Sequence, residues 1–204
     1  NTFADGLHML VKIEFDSTSI SIIKDGDLAL QRNINYGVDS AIETVRAFPQ
    51  FGENLSQQEA LMVLHDRRCL QDSLNGIDTS DMDTQDQLLE NAKMEVTESF
   101  RYMVGNISRI MDYYISRNTD ATFSSIQICG LGAGIKGVRR LLANELAQRV
   151  EVVYALDKCT YPEFSEKEGL YLYTAVIAPM RSGVNLMEKT TRKKKENKDS
   201  LSGA

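Results

Sequence analysis

The chain has 204 residues, 42% of them hydrophobic and 25% charged, enough for one domain or two tightly joined lobes around a real core. Its net charge of −6 argues against non-specific nucleic-acid binding, because a phosphate backbone rewards a basic surface. Three cysteines (Cys69, Cys129, Cys159) with no CxxC, and only two histidines (His8, His65), exclude a zinc site of ordinary ligand spacing and read as thiols kept reduced.

No apolar run approaches the ~20 residues of a membrane span, and no stretch reads as a signal peptide. With no initiator methionine and a strand pattern almost at once, the sequence reads as a piece excised from a longer protein. Leu10, Ile13 and Phe15, then Ile20, Ile22 and Ile23, mark two β-rich runs around "DSTS". The second run meets "LALQRNI" through Lys24-Asp25-Gly26-Asp27, and Asp-Gly between β-type runs predicts a tight hairpin with positive φ at both central positions. Three antiparallel strands therefore open the chain.

"GVDSAIETVRAF" carries Val38, Ile42 and Val45 at helical spacing and is closed by Pro49 and Gly52. Ser56 and Glu59 form a capping box that starts a short helix through Leu61, Leu64 and Arg68. "LNGIDTSDMDTQD" is an acidic loop whose spacing and misplaced glycine do not fit a calcium-binding loop. From Gln85 to Arg117, Leu89, Ala92, Val96, Phe100, Met103, Ile107, Ile110 and Tyr114 fall at steps of three and four, predicting one long helix with an apolar stripe. "FSSIQICG" reads as a strand entering "GLGAGIKG". A helix with Val138, Leu141, Leu142 and Leu146 inward comes next, then a short strand "VEVVYAL" and a buried helix "GLYLYTAVIAPM". No internal repeat is found.

Strand, glycines, helix is the arrangement that lets a backbone approach a phosphate or an adenine closely, and Gly130, Gly132, Gly134 and Gly137 have no Cβ to prevent it. The loop has neither the spacing of a Walker A motif around Lys136 nor that of GxGxxG with a following ribose-binding acid. From the residues alone, a nucleotide loop and a tight strand-to-helix turn both stand.

The order of parts is more specific: "VKIEFDSTSISIIKDG", a helical insertion, a long helix carrying Asp112-Tyr113-Tyr114, then "CGLGAGIKG". That order resembles the second half of an actin-like ATPase, and in particular the type IV pilus assembly protein PilM family. The resemblance implies an α/β actin-like (ribonuclease H-like) core lobe from residues 1–48 and 119–182. It also implies a helical insertion subdomain over 49–118 that includes the long helix, and a flexible basic tail over 183–204. Nucleotide-binding positions carried over from it are Ser17, Thr18, Gly130, Gly132 and Gly137. Catalytic and metal-binding residues are not expected.

The departures lie at the site itself. The family's phosphate-loop aspartate falls on Lys12, which cannot ligate magnesium, and its glycine falls on Glu14. A carboxylate about 4 Å from phosphate oxygens is repelled by about 4 kcal/mol at an effective dielectric of about 20. Two residues apart on one strand, Lys12 and Glu14 share a face and are expected to pair. Leu131 replaces the middle glycine of the adenosine loop, and the other phosphate loop of an actin-like protein is not in this chain.

Near the end, Val184-Asn185-Leu186-Met187 is similar to the "NLLP"-type tail that the PilM family grips, and is read as a partner-binding segment. "KTTRKKKENKD" then sets six Lys/Arg against two acids, as beside a membrane anchor on the cytoplasmic side. These features lead to the expectation of a non-catalytic scaffold at the cytoplasmic side of a bacterial inner membrane, in the platform that assembles type IV pili or a related secretion filament. Its expected partners are platform proteins, the assembly ATPase and the anionic membrane surface, with Ser56 to Asn118 as partner surface and no nucleic acid. No cofactor is expected. The alternatives are an ATP- and magnesium-binding actin-like switch and a cell-division relative of actin.

Overall fold

The structure, a computed structural model, describes residue 3 and residues 5–153. Among these, strands β1 (Leu7–Ile13), β2 (Thr18–Lys24), β3 (Asp27–Ile34), β4 (Phe123–Cys129) and β5 (Val150–Val152) form one sheet in the order β3-β2-β1-β4-β5. The first three run antiparallel, while β4 pairs parallel to β1 and β5 parallel to β4. Asp25 (φ 51°) and Gly26 (φ 89°) make the left-handed two-residue turn that Asp-Gly predicts.

Alternation decides which face of the sheet is buried. Met9, Val11 and Ile13 of β1 stand opposite Ile22, Ile20 and Thr18 of β2, and all six are buried. Ile126 and Ile128 of β4 join them through the parallel pairs Met9–Ile126 and Val11–Ile128. Phe15, expected in the first strand, lies in the turn and is 44% exposed. The opposite face carries Lys12 and Ser19 and the hydrogen bond between His8 Nδ1 and Ser125 Oγ (3.1 Å).

The helices are α1 (Asp39–Ala47), α2 (Gln57–Asp66), α3 (Thr84–Ser99), α4 (Arg101–Arg117) and α5 (Val138–Leu146). Val38, Ile42 and Val45 are buried at the start of α1 and along it, as are Val138, Leu141, Leu142 and Leu146 on α5. The capping box at the start of α2 is complete: the Ser56 side chain accepts from Glu59 N, and Glu59 Oε2 accepts from Ser56 N at 2.9 Å. Buried residues of α2, α3 and α4 join those of the sheet in one hydrophobic cluster. No helix among the described residues is long and apolar enough to cross a membrane.

The single long helix expected from Gln85 to Arg117 is instead two, meeting at Phe100 (φ −83°, ψ −10°). Its apolar stripe is continuous all the same: Ala92, Val96, Phe100, Met103 and Ile107 are each fully buried. Thr97 Oγ1 donates to Lys93 O and Ser99 Oγ to Val96 O, both at 2.7 Å. Such back-bonding competes with the backbone ladder and bends a helix. Thr97 Oγ1 also accepts from Gln71 N at 2.8 Å, so the end of α3 is tied to the segment after α2.

The strand expected at "VEVVYAL" is present as β5 over Val150–Val152. Its remainder and the helix "GLYLYTAVIAPM" lie outside the described residues.

Candidate functional site

Because β1 and β4 are parallel neighbours, with Lys12 beside Cys129, the end of β1 arrives next to the glycine loop. Lys12, Glu14, Gly130 and Gly132 are thereby brought together. Lys12 Nζ and Glu14 Oε1 form an ion pair at 2.8 Å, each side chain more than a third exposed. The pair expected from their spacing is therefore present, and it lies at the junction of hairpin and loop.

The turn from Glu14 to Ser17 is closed by Glu14 N donating to Ser17 O (2.9 Å). Its carbonyls are also engaged. Glu14 O accepts from Val38 N (3.0 Å) and Phe15 O from Asp39 N (2.9 Å), so backbone donors at the start of α1 are spent on the hairpin. Gly37 makes this approach possible, since a Cβ there would lie 2.1 Å from Phe15 O. Thr18 is fully buried, and its hydroxyl donates to Tyr36 O at 2.8 Å.

The glycine loop leaves β4 at Gly130 (φ 82°, ψ −173°), makes one 3-10 turn over Leu131–Gly134, and enters α5 through Gly137 (φ 105°). At Gly130, Gly132 and Gly137 the space of the missing Cβ is claimed by the chain itself. At Gly130 a Cβ would stand 2.6 Å from Ile13 O and 3.1 Å from Glu14 Oε1. At Gly132 it would stand 2.4 Å from Ile13 Cγ2 and 3.1 Å from Val38 Cγ1, and at Gly137 3.3 Å from Leu70 Cβ. Gly137 thus faces the segment after α2, away from Lys12 and Glu14.

The end of α2 straps the loop down. Lys136 N donates to Leu64 O (3.0 Å) and Lys136 Nζ to Asp66 O (2.6 Å). His65 Nε2 donates to Leu131 O (3.1 Å), and burial holds its imidazole below the usual histidine range despite that bond and the nearby charge of Asp66. Asp72 adds a second strap: it pairs with Arg68 and, at 3.2 Å, with Arg140 of α5. Gly37, His65 and Leu70 were not singled out from the sequence. A glycine just ahead of α1 was the only available signal, since the other two act through contacts remote in sequence.

Val184, Asn185, Leu186 and Met187 lie outside the described residues. Among the described residues, no three His, Cys, Asp or Glu side chains gather where they could hold a metal ion.

No protein-family model and no curated protein matches the chain. Solved structures do. The PilM-PilN type IV pilus biogenesis complex is similar at 16% identity and a TM-score of 0.51, over 74% of this chain and 37% of that one. MreB5 of Spiroplasma citri bound to ADP is similar at 16% identity and a TM-score of 0.53, over 97% of this chain and 57% of that one. The same protein bound to AMPPNP gives 17% identity and a TM-score of 0.52 over the same shares. The chain thus spans 37% to 57% of the length of these structures. At such identity the likeness establishes fold alone: the chain has the actin-like α/β fold, with the hairpin and the glycine loop as its neighbouring ends.

Proposed function

We propose that this chain is a non-catalytic interaction module of an inner-membrane platform that assembles type IV pili or a related secretion filament, placed on the cytoplasmic side of that membrane. One observation carries the non-catalytic part. The Glu14 carboxylate, held by Lys12, stands 3.1 Å from the Cβ position of Gly130, between the hairpin and the glycine loop. Nucleotide phosphates need donors and positive charge there. Here they would meet a carboxylate, a lysine already paired, and a Thr18 hydroxyl and α1 amides already bonded. These residues do not fit a nucleotide phosphate.

The pilus part is supported by the likeness to the PilM-PilN complex and by the sequence features described above. In this role the domain passes the state of a motor to membrane subunits through contacts between proteins. Isothermal titration of ATP and ADP with magnesium, on the longest protein that contains this chain, tests the first part, and no heat of binding is expected. Capture of platform proteins from the membranes of its own bacterium, by the same protein, tests the second.

A second reading is favoured by the match of nearly the whole chain to structures solved with ADP and AMPPNP. In that reading Ser17, Thr18, Gly130, Gly132 and Gly137 hold ATP with magnesium and the protein is a switch, or a cell-division relative of actin. Micromolar nucleotide binding would put this reading first. Nucleotide-dependent pelleting would single out the filament form.

A further inference from the structure

We propose that the outer edge of β3, together with the adjoining face of α4, is a docking groove for an extended, acidic segment of a partner protein. This goes beyond the function proposed above and does not rest on the pilus reading. Among the described residues strand β3 ends the sheet, so alternate residues aim backbone N–H and C=O groups away from β2 with no described strand to receive them. Most of its residues are exposed, Leu28 to 60%.

Beside it, Tyr102, Asn106, Arg109 and Tyr113 recur on α4 at steps of four, three and four, which places them on one helix face. Tyr102 and Tyr113 are 55% and 45% exposed, and the Arg117 guanidinium lies over the Tyr113 ring at 4.7 Å. Between strand and helix runs a groove of about 380 Å³, whose walls include Leu30, Arg32 and Ile34 from β3 and Asn106, Arg109 and Tyr113 from α4.

Charge decides the occupant. Arg46, Arg68, Arg101, Arg140 and Arg149 each pair with a carboxylate. Arg32 and Arg109 instead donate to the backbone carbonyls of Gln31 (2.9 Å) and Gly105 (3.0 Å), and among the described residues no carboxylate pairs with either. Among the described residues of this acidic protein, two guanidinium groups therefore share one groove without a carboxylate partner. An extended strand would take the edge hydrogen bonds, its carboxylates would meet Arg32 and Arg109, and its apolar side chains would rest on Leu30, Ile34 and Tyr113. A second copy would bring arginine against arginine, and the basic segment from Lys189 to Lys198 would be repelled.

The test uses a short fluorescein-labelled peptide alternating Glu with Val, followed by fluorescence anisotropy, with a Lys–Val peptide as control. The expected result is saturable binding of the Glu–Val peptide only, slower amide hydrogen exchange across β3, and about tenfold weaker binding in each of Arg32→Glu and Arg109→Glu. N-methylation of alternate peptide bonds should abolish binding while leaving every charge in place, and it leaves the protein's own folding untouched. Failure of the Glu–Val peptide to bind, equal binding of both peptides, or binding indifferent to both arginine reversals would overturn the proposal. So would a concentration-dependent dimer that protects β3 without peptide, which would assign the edge to a second copy. Anionic vesicles competing the peptide away would assign it to a membrane instead.

Discussion

The junction of hairpin and glycine loop and the groove beside β3 are both places where this sheet comes to an end, and they are built on opposite terms. At the junction, carbonyls, amides, a hydroxyl and the spaces over three glycines are all engaged by the chain itself. At the groove a strand edge, Tyr113 and two arginines face outward. Glycines beside a strand therefore do not by themselves announce a ligand; what fills the space beside them does. The polar edge that reads as plain solvent-facing strand leaves hydrogen-bonding groups and charge facing outward.

The sharpest way to break this contrast is at the two glycines with the least room. Gly37→Ala puts a methyl group against the Phe15 carbonyl, and Gly132→Ala puts one into Ile13 and Val38. Losses of about 3 kcal/mol and about 2 kcal/mol are expected in chemical denaturation, the first larger because backbone cannot swing aside. A loop held open for a ligand would tolerate Gly132→Ala far better. Next, Thr18→Val keeps the volume but strands the Tyr36 carbonyl, and a loss of about 1.5 kcal/mol is expected from the same measurement.

His65 offers a pH test of the strap on the loop. Burial holds its folded pKa below the ordinary histidine value of 6.5, so below about that pH the unfolded chain binds the proton more readily. The contribution is fully present above pH 6.5 and is lost as pH falls through the folded value. Denaturation midpoints should therefore drop on acidification in the wild type, and His65→Gln should remove that part of the slope. The smallest effect expected is at Lys12 and Glu14, where a double-mutant cycle should give a coupling of about 0.5 kcal/mol, since both side chains are well exposed. A Glu14→Gly variant that gained ATP binding would show that the carboxylate is what closes the site.

Much of the fold was legible because it is specified locally. Asp25-Gly26 dictated its turn, Ser56 and Glu59 their cap, and helical spacing the buried faces of α1, α3, α4 and α5. Helix α2 ends at Asp66, short of the expected Arg68, and buries Ala60 and Leu64. Two residues apart on a strand, Lys12 and Glu14 could be paired from spacing alone. The break at Phe100 was hidden because an apolar stripe runs unchanged through it; only the hydroxyls of Thr97 and Ser99, and the partner Gln71, disclose it.

The character of the site was not legible, for a different reason. Turn chemistry, caps and periodicity act over a few residues, so the sequence by itself determined the elements and the chemistry each one carries. What lies over Gly130 and Gly132 is set by Ile13, Glu14 and Val38, more than 90 residues away along the chain. Only the parallel pairing of β1 with β4 brings them together, and only the sheet order leaves β3 at the edge beside α4. Close packing, which has no memory of sequence distance, decided what stands over Gly130 and Gly132 and left the groove beside β3 open.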